Sequence, residues 1–127
     1  MKTGIVFQNC EILASKDFQA KRLSSANYLG RPWKEYAVTM IIESTIGDLI
    51  HEEGWLAWHN STVGQDTLSY GEYGNKGPGA ATTKRVKWPG FKVLGKGDAA
   101  KYTVASFIND NKWLETTGIP STAGLMS

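Results

Sequence analysis

Nine residues concentrate the chemistry of this chain: Tyr28-Leu29-Gly30-Arg31-Pro32-Trp33-Lys34-Glu35-Tyr36. Arg31 carries a permanently charged planar fork of donors, a shape that matches a carboxylate. Trp33 offers a broad flat face on which a ring-shaped ligand can stack. Gly30 opens backbone conformations closed to other residues, and Pro32 fixes its own φ. Flanked this way, Arg31 and Trp33 are expected to be held stiffly. That favours a binding site over a plain core strand.

Other chemistry is weakly supported. Asp48, Glu52, Glu53, Asp66 and Glu72 could in principle supply a carboxylate pair for proton transfer, but are expected as solvated surface groups. His51-Glu52-Glu53 resembles the start of a zinc motif and lacks the second histidine at helical spacing; His59 is off that register. No nucleophile elbow surrounds any serine. The glycines from Gly71 to Gly79, and Gly95-Lys96-Gly97, do not match a phosphate loop and read as turns. No metal and no organic cofactor is expected.

Five tryptophans punctuate 127 residues. Trp88, before Pro89, reads as structural and Trp113 as core or anchor. Trp33 and Trp55 follow loops and glycines, where rings can line a cleft. With Arg31 they suggest a carbohydrate ligand, an acidic one in particular. The formal net charge of +2 is compatible with an acidic polymer. There is no Lys/Arg run of the kind nucleic acid would need, and no stretch of roughly 18 apolar residues that could span a membrane. Met1-Lys2-Thr3-Gly4 is not followed by the apolar stretch of a signal peptide, and the chain reads straight into Ile5-Val6-Phe7 as though from the middle of a larger fold. The single cysteine, Cys10, is either a small buried hydrophobe or half of a disulfide whose partner is missing. Asn60-Ser61-Thr62 is an N-glycosylation sequon, a weak pointer to secretion.

The elements that must position these residues are short. Ile5 to Leu13 reads as a strand and Ala14 to Asn27 as loop. Ala37 to Ile42, β-branched apart from Ala37 and Met40, reads as a buried strand, and Thr45 to Ile50 as a run broken by Gly47-Asp48. Thr67 to Tyr73 is a further strand, Gly74 to Ala81 a Gly-rich loop, and Val86 to Leu94 a strand region holding the turn Trp88-Pro89-Gly90. Asp98 can N-cap a helix to about Ile108, with Val104, Phe107 and Ile108 on one face. Trp113-Leu114 reads as a short anchoring turn, and the tail from Thr116 as loop. The pattern predicts an all-β body with a C-terminal helical extension. A parallel β-helix fits, because its coils are poorly periodic in sequence and bury a core by stacking.

The same residues resemble the plant pectin methylesterases, or pectinesterases. Tyr28 to Tyr36 carries the likeness most specifically. Gln8-Asn9-Cys10, Ser44 to Ile50 with Gly54-Trp55, Asp66-Thr67-Leu68 and Gly71-Glu72-Tyr73 continue it. So do Gly77-Pro78-Gly79-Ala80, Arg85 to Gly90, Phe107-Ile108 and Trp113-Leu114, in order from about Gly4 to Leu125. Departures are local: Ala37-Val38, Glu52, Ala57 and Ser69 stand where other residues are usual. The resemblance implies a right-handed parallel β-helix, with residues 1–127 the C-terminal part of the catalytic domain: its last coils and a C-terminal extension. It implies demethylation of pectin to pectate and methanol, without metal or cofactor. One aspartate attacks the ester, a second serves as acid and base, and glutamines stabilise the oxyanion; these belong to segments upstream of Met1. Arg31 matches the arginine that orients the nucleophilic aspartate, Trp33 a substrate-cleft tryptophan, and Trp55 a further cleft aromatic. Gln65-Asp66-Thr67 is not matched to the catalytic acid, because Gly71-Glu72-Tyr73 follows it and the resemblance places it in a later, structural segment. Cys10 matches a cysteine whose disulfide partner lies one coil earlier. Pectin and a pectinesterase inhibitor protein are the implied partners, and the cell wall the implied location. By itself the chain is expected to be inactive and marginally folded, its first strand exposing an edge and an apolar face. The alternative is a short protein that binds pectin or the inhibitor without catalysis.

Overall fold

The computed structural model describes residues 3–59, 61–109 and 113–127; Asn60 of the sequon lies outside them. The described residues form six short strands: β1 (Ile5–Gln8), β2 (Glu11–Ile12), β3 (Val38–Ile42), β4 (Thr45–Ile46), β5 (Ser69–Tyr73) and β6 (Phe91–Val93). All pairing between them is parallel. One sheet has the order β1-β3-β5-β6 and the other pairs β2 with β4. A third wall is made by isolated parallel bridges, Asn27 to Ile50 and Gly30 to Trp55. Parallel neighbours need long crossovers, and here each crossover is the rest of a coil. This is the parallel β-helix that the sequence pattern allowed.

The stretch from Ile5 to Leu13 is not one strand. Asn9 adopts a left-handed φ of 54°, turning the chain from the first sheet into the second. The same corner recurs in register one coil later at Glu43 (φ 50°) and again at Gly74 (φ 60°). Glycine takes this conformation at no steric cost and asparagine tolerates it. Glu43 is the costly member. The corner's backbone donors are satisfied by the next coil: Ser44 Oγ accepts from the Cys10 amide at 3.1 Å, and Asn75 Oδ1 from the Ser44 amide at 2.9 Å.

The core lies inside the solenoid and comprises Ile41, Ile46, Ile50, Trp55, Leu68 and Tyr70, with Ile12, Leu29, Val86, Trp88 and Phe91 against it. Strand alternation explains the pattern in β3. Ile41 faces the core, while Met40, also buried, lines with Leu94 and Tyr102 a cavity between the sheet and the C-terminal segment. Burial on both faces is why β3 reads as a run of β-branched and apolar residues with no charge in it.

The helical extension differs from its expected form. Instead of one helix capped by Asp98, there are two single turns, α1 (Lys96–Ala99) and α2 (Val104–Phe107), joined by a 3-10 turn at Ala100–Tyr102. Gly95 occupies the cap position of α1, and Asp98 pairs instead with Lys101 at 2.6 Å. Thr103 interrupts the path with an extended ψ of 166°, and its hydroxyl donates to the Ala100 carbonyl at 2.9 Å. A threonine that bonds its own preceding turn competes with helix continuation. Beyond the extension, Leu114 is buried as the anchor, and the Trp113 indole donates to the Ile108 carbonyl at 2.9 Å. No helix among the described residues is long and apolar enough to cross a membrane.

Candidate functional site

Arg31 and Trp33 emerge from the third wall, directly after the Gly30–Trp55 bridge. That bridge is stitched by two backbone bonds: Leu29 N to the Gly54 carbonyl at 2.7 Å and Leu56 N to the Gly30 carbonyl at 3.0 Å. Gly30 does not use a left-handed conformation; an added Cβ would rest 3.4 Å from the Trp55 ring. Pro32 is buried and fixes the turn, so the exposed Arg31 and Trp33 flank a sequestered residue. Behind the loop, Gly64 approaches Pro32 and the Lys34 carbonyl, and Thr67 Oγ1 accepts from the Tyr36 amide at 3.2 Å. Tyr36 itself sits at φ 60° with its ring exposed. Left-handed backbone at a bulky aromatic residue is uncommon and costs free energy, so the surrounding loop must impose it.

The partner that completes the site is Trp58, which the local sequence pattern does not single out. Its ring centroid lies 5.0 Å from that of Trp33 at an interplanar angle of 49°, and the Arg31 guanidinium sits 5.3 Å from its centre. His59 stands edge-on to the same ring at 5.4 Å. A cation over an indole face is a favourable contact that leaves the guanidinium donors free. Arg31 makes no ion pair among the described residues. Trp33 is 77% exposed. The result is an unpaired fork of donors beside two exposed or half-exposed indoles, a surface suited to a chain of rings bearing carboxyl groups.

Trp55 is corrected. Its ring is only 1% exposed and stacks on Tyr70 at 4.4 Å inside the solenoid, out of reach of a polymer. Its indole points at Glu72, which is also not a solvated acid. Glu72 and Arg85 form a bidentate pair at 2.8 and 3.1 Å, with each side chain 1% exposed. The signal available in sequence was the period of β5. Tyr70 and Glu72 share its inward face, and an acid there demands a buried cation.

The remaining candidates lie elsewhere. Asp66 is exposed and borders the cavity lined by Met40, Lys92 and Lys101, on the outer face of the sheet. His51 stacks on Tyr28 at 5.1 Å and stands 3.8 Å from the Glu53 carboxylate. Cys10 is free and half-buried, its thiol donating to the Gln8 carbonyl. Among the described residues no three His, Cys, Asp or Glu side chains gather as a metal site would require.

Known proteins share this sequence and fold. The Pectinesterase family model matches residues 1–111. Pectinesterase/pectinesterase inhibitor 3 of Arabidopsis thaliana is 50% identical over 97% of this chain, which covers 21% of that protein. A pectinesterase of Petunia integrifolia is 46% identical over 98% of the chain and 34% of its own length. The solved structure of the carrot pectin methylesterase superposes with a TM-score of 0.92 at 46% identity, over 97% of this chain and 39% of that one. A pectin methylesterase from Aspergillus niger superposes with a TM-score of 0.64 at 25% identity, over 85% of this chain and 32% of that one. The chain thus spans roughly one fifth to two fifths of the proteins it matches, and within that span its β-helical coils, its Arg31 loop and its buried core belong to the pectinesterase family.

Proposed function

We propose that residues 1–127 form the C-terminal part of a pectin methylesterase catalytic domain and carry its polymer-facing platform. The single observation behind this reading is the unpaired Arg31 guanidinium held against Trp58 and beside the exposed Trp33. In an enzyme of this class an aspartate attacks the ester carbonyl carbon and methanol leaves, taking its proton from a second acid. Water then cleaves the acyl intermediate to free the carboxylate. Arg31 would hydrogen-bond the attacking carboxylate, keep it ionised and fix its direction, because an opposite charge stabilises the ionised form. Trp33 and Trp58 would seat the galacturonate rings. Trp55 has no place in substrate contact.

No carboxylate pairs with Arg31 among the described residues. That favours a binding role for these residues by themselves, with hydrolysis requiring an aspartate from another segment. The substrate is methyl-esterified homogalacturonan, the site of action the plant cell wall, and a pectinesterase inhibitor protein a second partner.

Titration calorimetry with methyl-esterified pectin and with pectate, run beside a methanol assay, tests this. Expected are measurable affinity without methanol release, and a loss of about tenfold, or 1.4 kcal/mol, in Trp33→Ala. Binding unchanged in both Trp33→Ala and Arg31→Ala would sink the platform reading. Methanol release by the chain alone, abolished in Arg31→Ala, would overturn the need for an outside nucleophile.

A further inference from the structure

The buried pair Glu72–Arg85 reaches the exposed platform through a short chain of contacts. Glu72 Oε2 accepts from Arg85 Nε at 2.8 Å and from the Trp55 indole at 3.4 Å. Arg85 donates also to the Glu52 carbonyl at 3.0 Å and the Gly79 carbonyl at 2.7 Å. Its side chain packs on Gly54, where a Cβ would collide with Arg85 Cδ and where φ is +72°. Only glycine fits there. The pair therefore grips the backbone from Glu52 to Trp55 on two sides. That stretch, with Leu56 directly after it, holds the platform: Gly54 accepts from Leu29, and Leu56 donates to Gly30. Arg31 follows Gly30, and Trp58 follows Leu56 after one residue, so both halves of the cation–π contact spring from the bridge beside the stretch the pair grips.

Stability alone is a poor reason for this arrangement. A buried ion pair often contributes no more than apolar residues of equal volume, because desolvation offsets the attraction. What apolar residues cannot supply is direction, and here the directional bonds run to Trp55, Glu52 and Gly79. We propose that Glu72 and Arg85 are positioning residues, which set the distance between Arg31 and Trp58 from inside the solenoid and so tune polymer affinity. This rests on reading the platform as the polymer site.

The Trp33–Trp58 pair supplies a direct readout. Indoles 5.0 Å apart and tilted by 49° couple excitonically in circular dichroism. The difference between the native chain and Trp33→Phe isolates that couplet. Three variants disturb the grip differently. Glu72→Gln keeps an acceptor and removes the charge. Glu72→Met with Arg85→Met keeps volume and leaves no unpaired charge. Trp55→Phe removes only the indole donor. Expected is a couplet weakened at least twofold in the double variant below its melting temperature. Affinity for an unesterified galacturonate oligomer should fall about tenfold with it, and by less in Trp55→Phe. A folded double variant with native couplet and native affinity would overturn the proposal, however far its melting temperature moved. If both Glu72 variants fail to fold, an unchanged couplet in Trp55→Phe overturns it and a weakened one supports it. Should the native chain ignore the oligomer while the couplet still responds, the polymer reading fails and the positioning role stands.

Discussion

Two levels of the solenoid are filled differently, although one inward-facing column runs through both. In register, that column reads Phe7 in β1, Ile41 in β3, Glu72 in β5 and Val93 in β6. At the β5 level it holds a buried, fully bonded ion pair, with Val86, Trp88 and Phe91 packed around the core. At the β1 level it stops at a phenyl ring 43% exposed, with Ile5 at 57% and Leu13 at 53% beside it. A coil buries its core only by stacking on another coil. At the β5 level Arg85 fills the interior beside Glu72, and β6 adds a further strand whose in-register Val93 is 59% exposed. At the open end, β1, no further coil stacks among the described residues, and both outer strands, β1 and β6, present an unpaired parallel edge. An identical register position is thus a bonded ion pair at one level and an open stacking face at another.

The largest expected effect comes from breaking the buried pair at the β5 level. Glu72→Ala leaves Arg85 buried and unpaired, with a cost of about 3–5 kcal/mol. For a domain of ordinary marginal stability that is most of the available free energy. Denaturant titration should show the midpoint collapsing or no cooperative transition at all. A loss below about 1 kcal/mol would mean that Arg85 swings to solvent and that the buried pair is not rigid.

A second comparison stays within the column. Ile41→Ala removes a buried core side chain and should cost about 2–5 kcal/mol, including the cavity left behind. Phe7→Ala, one coil away in the same register, should cost about 1 kcal/mol or less, since its ring is already partly hydrated. The exposed column should instead govern association. Phe7→Lys is expected to reduce self-association in sedimentation velocity, because charge at an open edge disfavours edge-to-edge pairing. Equal costs for Ile41→Ala and Phe7→Ala would show that the open end is covered in solution.

This contrast also marks what the sequence could disclose. The β3 run was readable because Met40, Ile41 and Ile42 are buried on both faces, and the one polar residue before them, Thr39, is itself β-branched. Arg31 and Trp33 were readable because Pro32 and Gly30 mark a constrained turn. Trp58 was not, because it meets Trp33 only through the Gly30–Trp55 bridge, a pairing between coils that no local period encodes. Trp55 misled for the related reason that a tryptophan after glycine looks like a cleft residue, whereas Gly54 is there to admit Arg85. Glu72 misled because charge usually means solvent, and only its shared strand face with Tyr70 argues otherwise. The break at Thr103 was hidden within an otherwise good helical pattern.

The smallest expected effect lies at the corner between the two ends. Glu43 holds the C-terminal tail: its carboxylate accepts from the Met126 amide at 2.8 Å, the Ser127 amide at 3.0 Å and the Ser127 hydroxyl at 2.8 Å, and from Gln8 Nε2 at 2.9 Å. Burial by itself would raise this carboxyl, but the bonds from Met126, Gln8 and Ser127 together outweigh it and hold Glu43 below its ordinary value. A carboxyl lowered by folding contributes stability that is fully present above the unfolded value, about 4.3, and is lost as pH falls through the lower folded value. The tail should therefore stay pinned at neutral pH and detach in acid, exposing the groove that Met126 helps to line beside Val6 and Phe107. Glu43→Gln is the informative variant, since it keeps the side chain's length and shape at this left-handed position and removes only the charge. Hydrogen exchange at the Met126 amide should be several-fold slower in the native chain than in Glu43→Gln near pH 6. The gap should close near pH 3, where the native carboxylate is protonated too. Exchange that is equal in the two chains at pH 6 would show the tail to be held by Gln8 and Ala105 contacts alone, and the corner to be as open as the first coil.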